Sequence, residues 1–263
     1  MPAPIWVPAA VALATSGALV LLATGGWPGE VGVNALQFCE TLRPGLVKQP
    51  ANTFSNVGFV AVALLIGWQA VRDGRDPNAP RNRMTTTTFY PAFYAGVSAF
   101  LGPGSAALHA STTPWGGRVD VFSMYVWAVW MVAFGWTRLR DGSQRDFLRV
   151  YLPSIGVLGV LHFAGLVPIS SDILFGTLVT TIVGLELAIH LRRPDLQSKR
   201  LYSVGALASF LLAFAIWIPS RTGGPLCDPD SLLQGHAIWH LLGALSVWLI
   251  YQQARSERTN PVA

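Results

Sequence analysis

Long apolar runs alternate with short polar connections along the chain, and the runs have the length that crosses a bilayer, about 20 residues for a helix. They fall at Ile5 to Thr24, Thr53 to Val71, Thr88 to His109, Val119 to Thr137, Phe147 to Leu166, Asp172 to Leu191, Leu201 to Pro219 and Leu232 to Gln253. Gly and Pro inside several runs are no objection, because neighbouring helices re-satisfy the freed backbone groups. The pattern predicts an all-α integral membrane protein with eight spans in one compact unit. The first run resembles a secretory signal, yet Met1 to Trp6 holds no Lys or Arg and the apolar stretch is longer than a signal requires. It reads as a retained helix.

Composition agrees, with 52% hydrophobic and only 12% charged residues, where soluble domains carry about 25% charged. The placement of the charges adds an orientation. Connections after the second, fourth and sixth runs hold Arg72, Arg75, Arg81, Arg83, then Arg138, Arg140, Arg145, Arg149, then Arg192, Arg193, Lys199, Arg200, and the tail adds Arg255 and Arg258. The opposite connections hold Arg43, Lys48, Arg118 and Arg221, so fourteen of the 18 Lys and Arg share one side. The positive-inside rule makes that side cytoplasmic and places both termini there. The net charge of +5 therefore reports orientation; no basic patch with interleaved aromatics points to nucleic acid.

This orientation brings distant polar residues to one level. The third run goes outward and ends on Ser105 and His109, preceded by Gly102-Pro-Gly104. The fourth returns from Val119, which leaves Asp120 at the same depth. The eighth carries His236 and His240 near its outer end, four apart and on one helix face. Polar groups inside membrane segments need partners or a function. Three imidazoles with a fourth position open form the ligand set of a catalytic zinc site, whereas structural zinc is closed by four protein ligands. Zinc there acidifies water and polarises a carbonyl, which opens an amide or ester to attack at neutral pH. Asp120 suits the base that takes a proton from water and returns it to the leaving amine. Ser105, one turn before His109, suits a donor to the developing oxyanion. A lone HxxxH pair is also what helix packing produces; the serine, the aspartate and three histidines in one layer are not.

Other polar positions read more plainly. Asn52-Thr-Phe-Ser-Asn56 opens the second run, and Asn52 and Asn56, one turn apart, suit helix packing as well as function. Asp172 fits an amino-terminal cap of the sixth run, His162 a packing histidine, His190 an interfacial residue, and Trp115 and Tyr251 interfacial anchors. Glu186 is a buried acid that should have a partner, and none is assignable. The longest outward connection, Gly25 to Asn52, carries Cys39, Glu40 and Gln49, and Cys227 lies in the last outward connection. On an oxidising side the two thiols can bridge, or they can merely share a face.

Cys39-Glu40, Asn52-Thr-Phe-Ser-Asn56, Gly104-Ser105 with His109, Asp120, and His236-Ala-Ile-Trp-His240 together give the chain a resemblance to the alkaline ceramidases. These belong to a larger membrane hydrolase group that also holds the adiponectin-receptor-like and haemolysin-like proteins. The resemblance implies a seven-helix core over residues 25–263, preceded by an extra transmembrane helix over residues 1–24. It implies zinc on His109, His236 and His240, catalysis by Ser105 and Asp120, and a disulfide between Cys39 and Cys227. The implied activity is hydrolysis of ceramide or a related N-acyl membrane lipid to fatty acid and amine near the extracytoplasmic face, with no obligate protein partner. A receptor-like or haemolysin-like member with a structural or weakly hydrolytic zinc site is the alternative. The calcium site of those ceramidases is rich in acids; here Gln37, Phe38 and Leu42 depart from it, and Gln49 stands where a glutamate is expected. Glu40 is the remnant of that site, so strong calcium binding is not expected. The extra first span also puts the amino terminus in the cytoplasm, against the family pattern.

Overall fold

The computed structural model describes residues 3–32 and 37–259. In chain order it contains α1 (Ala3–Gly25), α2 (Pro50–Phe54), α3 (Val57–Asp73), α4 (Arg83–Thr86), α5 (Phe89–Ser111), α6 (Pro114–Leu139), α7 (Gln144–Phe163), α8 (Ser171–Arg192), α9 (Arg200–Trp217) and α10 (Gly235–Arg255). A single turn of 3₁₀ helix, Ile218–Ser220, extends α9. Two-residue strands β1 (Leu196–Gln197) and β2 (Arg258–Thr259) pair antiparallel and fasten the C-terminal segment beside the α8–α9 link.

Among the described residues, six helical segments are long and apolar enough to cross a membrane: α1, the α2–α3 pair, α6, α7, α8 and α9. Helices α5 and α10, with 23 and 21 residues, match them in length but fall short in the hydropathy of their most apolar stretch, which polar side chains interrupt. Those side chains face inward: Ser98, Ser105, His109, His236, His240, Ser246, Gln252 and Gln253 are all buried. Helix α5 is central, packed on α6, α1 and α3, while α10 packs on α9, α3 and α2. Helix α8 leans on α6 and α9 on α10, so each takes a different partner rather than the other. Leu187, Leu191, Leu201, Val204 and Leu211 on these two helices are exposed, as side chains facing lipid would be.

Helix ends follow local capping chemistry and move several expected boundaries. Helix α6 begins at Pro114, five residues before Val119, because Thr113 accepts a hydrogen bond from Gly116 N and proline suits the first helical turn. Asp120 therefore sits in the second turn. Helix α8 is capped by Ser170, which accepts from Ile173 N; Asp172 lies inside its first turn and is not the cap. Helix α10 begins at Gly235 rather than Leu232, which leaves Leu232 and Leu233 in the preceding loop at 89% and 83% exposure. Tyr251 is fully buried against Tyr94 and Trp248 and is not an interfacial anchor.

Glu186 does have a partner. At the ends of α6, α8 and α10 remote from the histidines, buried Arg138 binds both Glu186 and Glu257, the latter with Nη2 2.6 Å from Oε2. Gln253 Nε2 donates to Glu186 Oε2 at 3.0 Å. Nearby, Arg255 grips buried Asp73 of α3 through two bonds of 2.6 and 2.7 Å. These pairs leave no buried carboxylate there without a cation.

Candidate metal centre

His109 lies in the last full turn of α5, and His236 and His240 occupy successive turns at the start of α10. All three are buried, and their candidate ligand atoms lie within 4.8 Å of one another. Two glycines let α5 seat closely among its other neighbours. A Cβ on Gly102 would fall 2.9 Å from the Asn56 carbonyl oxygen, and one on Gly104 would fall 2.7 Å from Ser123 Oγ. Only hydrogen fits at either place, so α5 approaches both the α2–α3 junction and the third turn of α6.

The hydrogen bonds around the imidazoles fix where their protons sit. Gln49 Nε2 donates to the Glu40 carbonyl at 3.2 Å, which orients the amide so that Oε1 accepts from His109 Nδ1 at 2.9 Å. The Gln49 backbone N–H also donates to the His109 carbonyl at 3.0 Å, and Lys48 N to the Ala110 carbonyl at 3.0 Å. The loop between α1 and α2 thereby satisfies carbonyls that the end of α5 leaves open. Ser55 Oγ donates to the Asn52 carbonyl at 3.0 Å and so accepts from His240 Nδ1 at 2.8 Å. With Nδ1 protonated on both rings, His109 and His240 present bare Nε2 atoms to the interior. His109 Nε2 lies 3.1 Å from His236 Nε2. Three converging imidazoles, His109 and His240 held by acceptors behind them, fit a zinc ion, and three donors are one fewer than a closed structural site uses.

Ser105 Oγ lies 3.3 Å from His240 Nε2, and the Asp120 carboxyl is a neighbour of its hydroxyl. The serine thus bridges the histidines and the aspartate expected to act beside them. Asp120 is held from behind, since Ser123 Oγ donates to its carbonyl at 2.7 Å. Every one of the five expected residues is therefore brought to one place.

The remaining expected residues surround it. Cys39 and Cys227 form a disulfide across 188 residues of sequence. The Glu40 carboxylate accepts from Ala51 N at 2.7 Å and Asn52 N at 2.9 Å, so it caps α2 with both oxygens engaged. Burial pushes its carboxyl above the ordinary glutamate value, against the two N–H groups that pull it down. Asn52 and Asn56 are buried beside the site; Asn56 Nδ2 donates to the Asn52 carbonyl at 2.8 Å. Neither makes the side-chain bond to a neighbouring helix that a packing role predicts, and the Asn52 amide atoms have no hydrogen-bond partner among the described residues. His162 stays apart, its Nε2 donating to the Arg118 carbonyl at 2.9 Å among Phe122, Tyr125 and Phe163. Exposed His190 meets Arg200.

Sequence reasoning missed three residues here. Gln49 and Ser55 orient two of the histidines, and Phe38 lays its ring 4.8 Å from the His109 ring and 4.5 Å from the His236 ring. Ser55 had a signal in its place within Asn52-Thr-Phe-Ser-Asn56. The other two had only their departure from a calcium-binding pattern.

The family model described as Ceramidase matches residues 36–260, a stretch that takes in every helix from α2 to α10. No curated protein matches the chain. Because the matched stretch holds helices α2 to α10, the three histidines and the serine and aspartate beside them, the chain belongs to the ceramidase family, hydrolases of a lipid amide bond.

Proposed function

We propose that this protein is a zinc-dependent intramembrane amidase that cleaves ceramide or a related N-acyl lipid to fatty acid and amine. The observation that carries the reading is the convergence of His109, His236 and His240 beside the Ser105–Asp120 pair. His109, His236 and His240 would hold the zinc ion, which when bound supplies a Lewis acid for the amide carbonyl and lowers the pKa of water. Asp120 accepts a proton from the water that attacks the carbonyl carbon, and it returns that proton to the nitrogen as the C–N bond breaks. Ser105 donates its hydroxyl to the carbonyl oxygen as charge builds there. Gln49 and Ser55 hold the imidazole rings in the orientation that leaves Nε2 free.

Eight spans serve this site, with α1 as an extra transmembrane helix over residues 1–24 and a seven-helix membrane domain over 25–263. Both termini lie in the cytoplasm and the histidines lie near the extracytoplasmic face. The lipid reaches them laterally, a route favoured by α8 and α9 packing on α6 and α10 rather than on each other. The test is metal analysis of the purified protein followed by a turnover screen over N-acyl lipids. Stoichiometric zinc and release of fatty acid from at least one lipid amide are expected. Zinc with no turnover of any of them would favour the receptor-like alternative.

A further inference from the structure

We infer that Phe38 is a pinned cover over the histidine cluster and a specificity-determining residue, one that closes the site to water-soluble amides and leaves it to amides dissolved in the membrane. The inference rests on the amidase reading for its substrate class, but the cover itself is a matter of geometry.

The half-buried Phe38 ring stands against His109 edge-on and against His236 at a tilt, so two of the three imidazoles have it as their neighbour from the outward loop. The other approaches are taken by fixed groups: Gln49 behind His109, Ser55 and Ser105 on His240, and the Trp217 ring 5.6 Å from His236. Anything arriving from the loop side must displace Phe38.

The next residues resist that displacement. Cys39 holds φ at +65°, a left-handed conformation that a non-glycine residue keeps only where its surroundings impose it. Its sulfur is bonded to Cys227 and its N–H donates to Thr222 Oγ1 at 3.0 Å. Glu40 is fixed through its carboxylate to α2 and through its carbonyl to Gln49. Thr41 N donates to the Pro229 carbonyl at 2.9 Å. Each anchor joins the loop to the α9–α10 connection, to the start of α2 or to Gln49. A ring on so short and so well-tethered a stretch stays where it is placed, and its apolar face discourages hydrated ligands from the cluster.

The test uses the purified full chain in detergent with three readouts: the rate at which a soluble chelator strips metal, the rate at which diethyl pyrocarbonate labels His236 in chelator-treated protein, and the ratio of turnover on a soluble short-chain N-acyl amine to that on long-chain ceramide. Phe38→Ala should raise both rates several-fold and shift the ratio towards the soluble amide, whereas Phe38→Trp should leave all three near wild type. Phe38→Leu, which keeps apolar bulk, should move them in the same direction by less and serves if the alanine variant fails to fold. Folded Phe38→Ala and Phe38→Leu with unchanged stripping and labelling rates would overturn the inference. Wild-type protein that hydrolyses no amide would defeat the amidase reading alone, because the labelling rate needs neither metal nor turnover.

Discussion

Gln49 touches His109 twice, through its backbone N–H on the histidine carbonyl and through its side chain on Nδ1. Removing the side chain leaves the first contact and deletes the second, so the ring loses its proton acceptor while the loop keeps its path. Gln49→Ala should lower zinc affinity about 10–100-fold, the usual effect of deleting a partner behind a metal ligand, while Gln49→Glu, which keeps an acceptor, should retain zinc; metal titration of both variants checks this. Asp120→Asn should keep zinc and lose about 10²–10⁴-fold in turnover, and zinc loss in that variant would make Asp120 a ligand instead. Glu40 supplies a pH signature away from the chemistry. Its folded carboxyl is held above its ordinary value, so between those two values the folded chain binds a proton that the unfolded chain does not. Stability should therefore fall as pH rises through that window, and Glu40→Gln should flatten the slope in melting temperature against pH. The histidines, Ser105 and Asp120 were legible in the sequence because polar residues are rare in apolar runs. Gln49 was not, since its one signal, standing where a glutamate is expected, says nothing of His109 until the fold sets the two together.

At the scale of elements, the two long helices that fall outside the six most apolar spans are the ones whose polar residues meet inside the bundle, α5 and α10. The length of the apolar runs located both, and it erred where capping decides. Thr113-Pro114 starts α6 a full turn early, and Ser170 displaces Asp172 as the cap of α8. The opposite ends of α6, α8 and α10 were legible only as isolated charges, because Arg138 finds Glu186 and Glu257 at separations of 48 and 119 residues. That cluster ties three helices and the C-terminal segment together with Arg138 only 3% exposed. Arg138→Ala would leave two carboxylates uncompensated, one of them buried, and should destabilise the protein by about 3–5 kcal/mol, the usual effect of removing one partner of a buried pair. Denaturant unfolding in detergent measures it, and a change below about 1 kcal/mol, typical of exposed pairs, would show that water already reaches the cluster.

For the whole molecule, the choice between eight spans and six depends on α5 and α10, and the proposal of eight rests on packing and on charge. Helix α5 packs on α6 and α3, and α10 packs on α9 and α3. Each of those neighbours is long and apolar enough to cross a membrane. A 23-residue helix rises about 34 Å at 1.5 Å per residue, enough for the hydrocarbon core, and its polar side chains are turned away from lipid. Charge parity is stricter. If α5 stayed on one side, α6 would carry Arg138, Arg140, Arg145 and Arg149 to the face opposite Arg72, Arg75, Arg81 and Arg83. The eight-span path instead collects fourteen of the 18 basic residues on one face, as the positive-inside rule requires. Reporter domains that are active only outside the cytoplasm should therefore work when inserted near Gly45, between Thr112 and Trp115, near Gly165 and near Gly223, and should fail near Asn78, Gly142, Asp195 and after Arg258. The insertion between Thr112 and Trp115 is decisive. A reporter silent there and active near Gly142 would mean that α5 does not cross, which would reverse the face on which α6 begins and detach the histidine layer from the extracytoplasmic side.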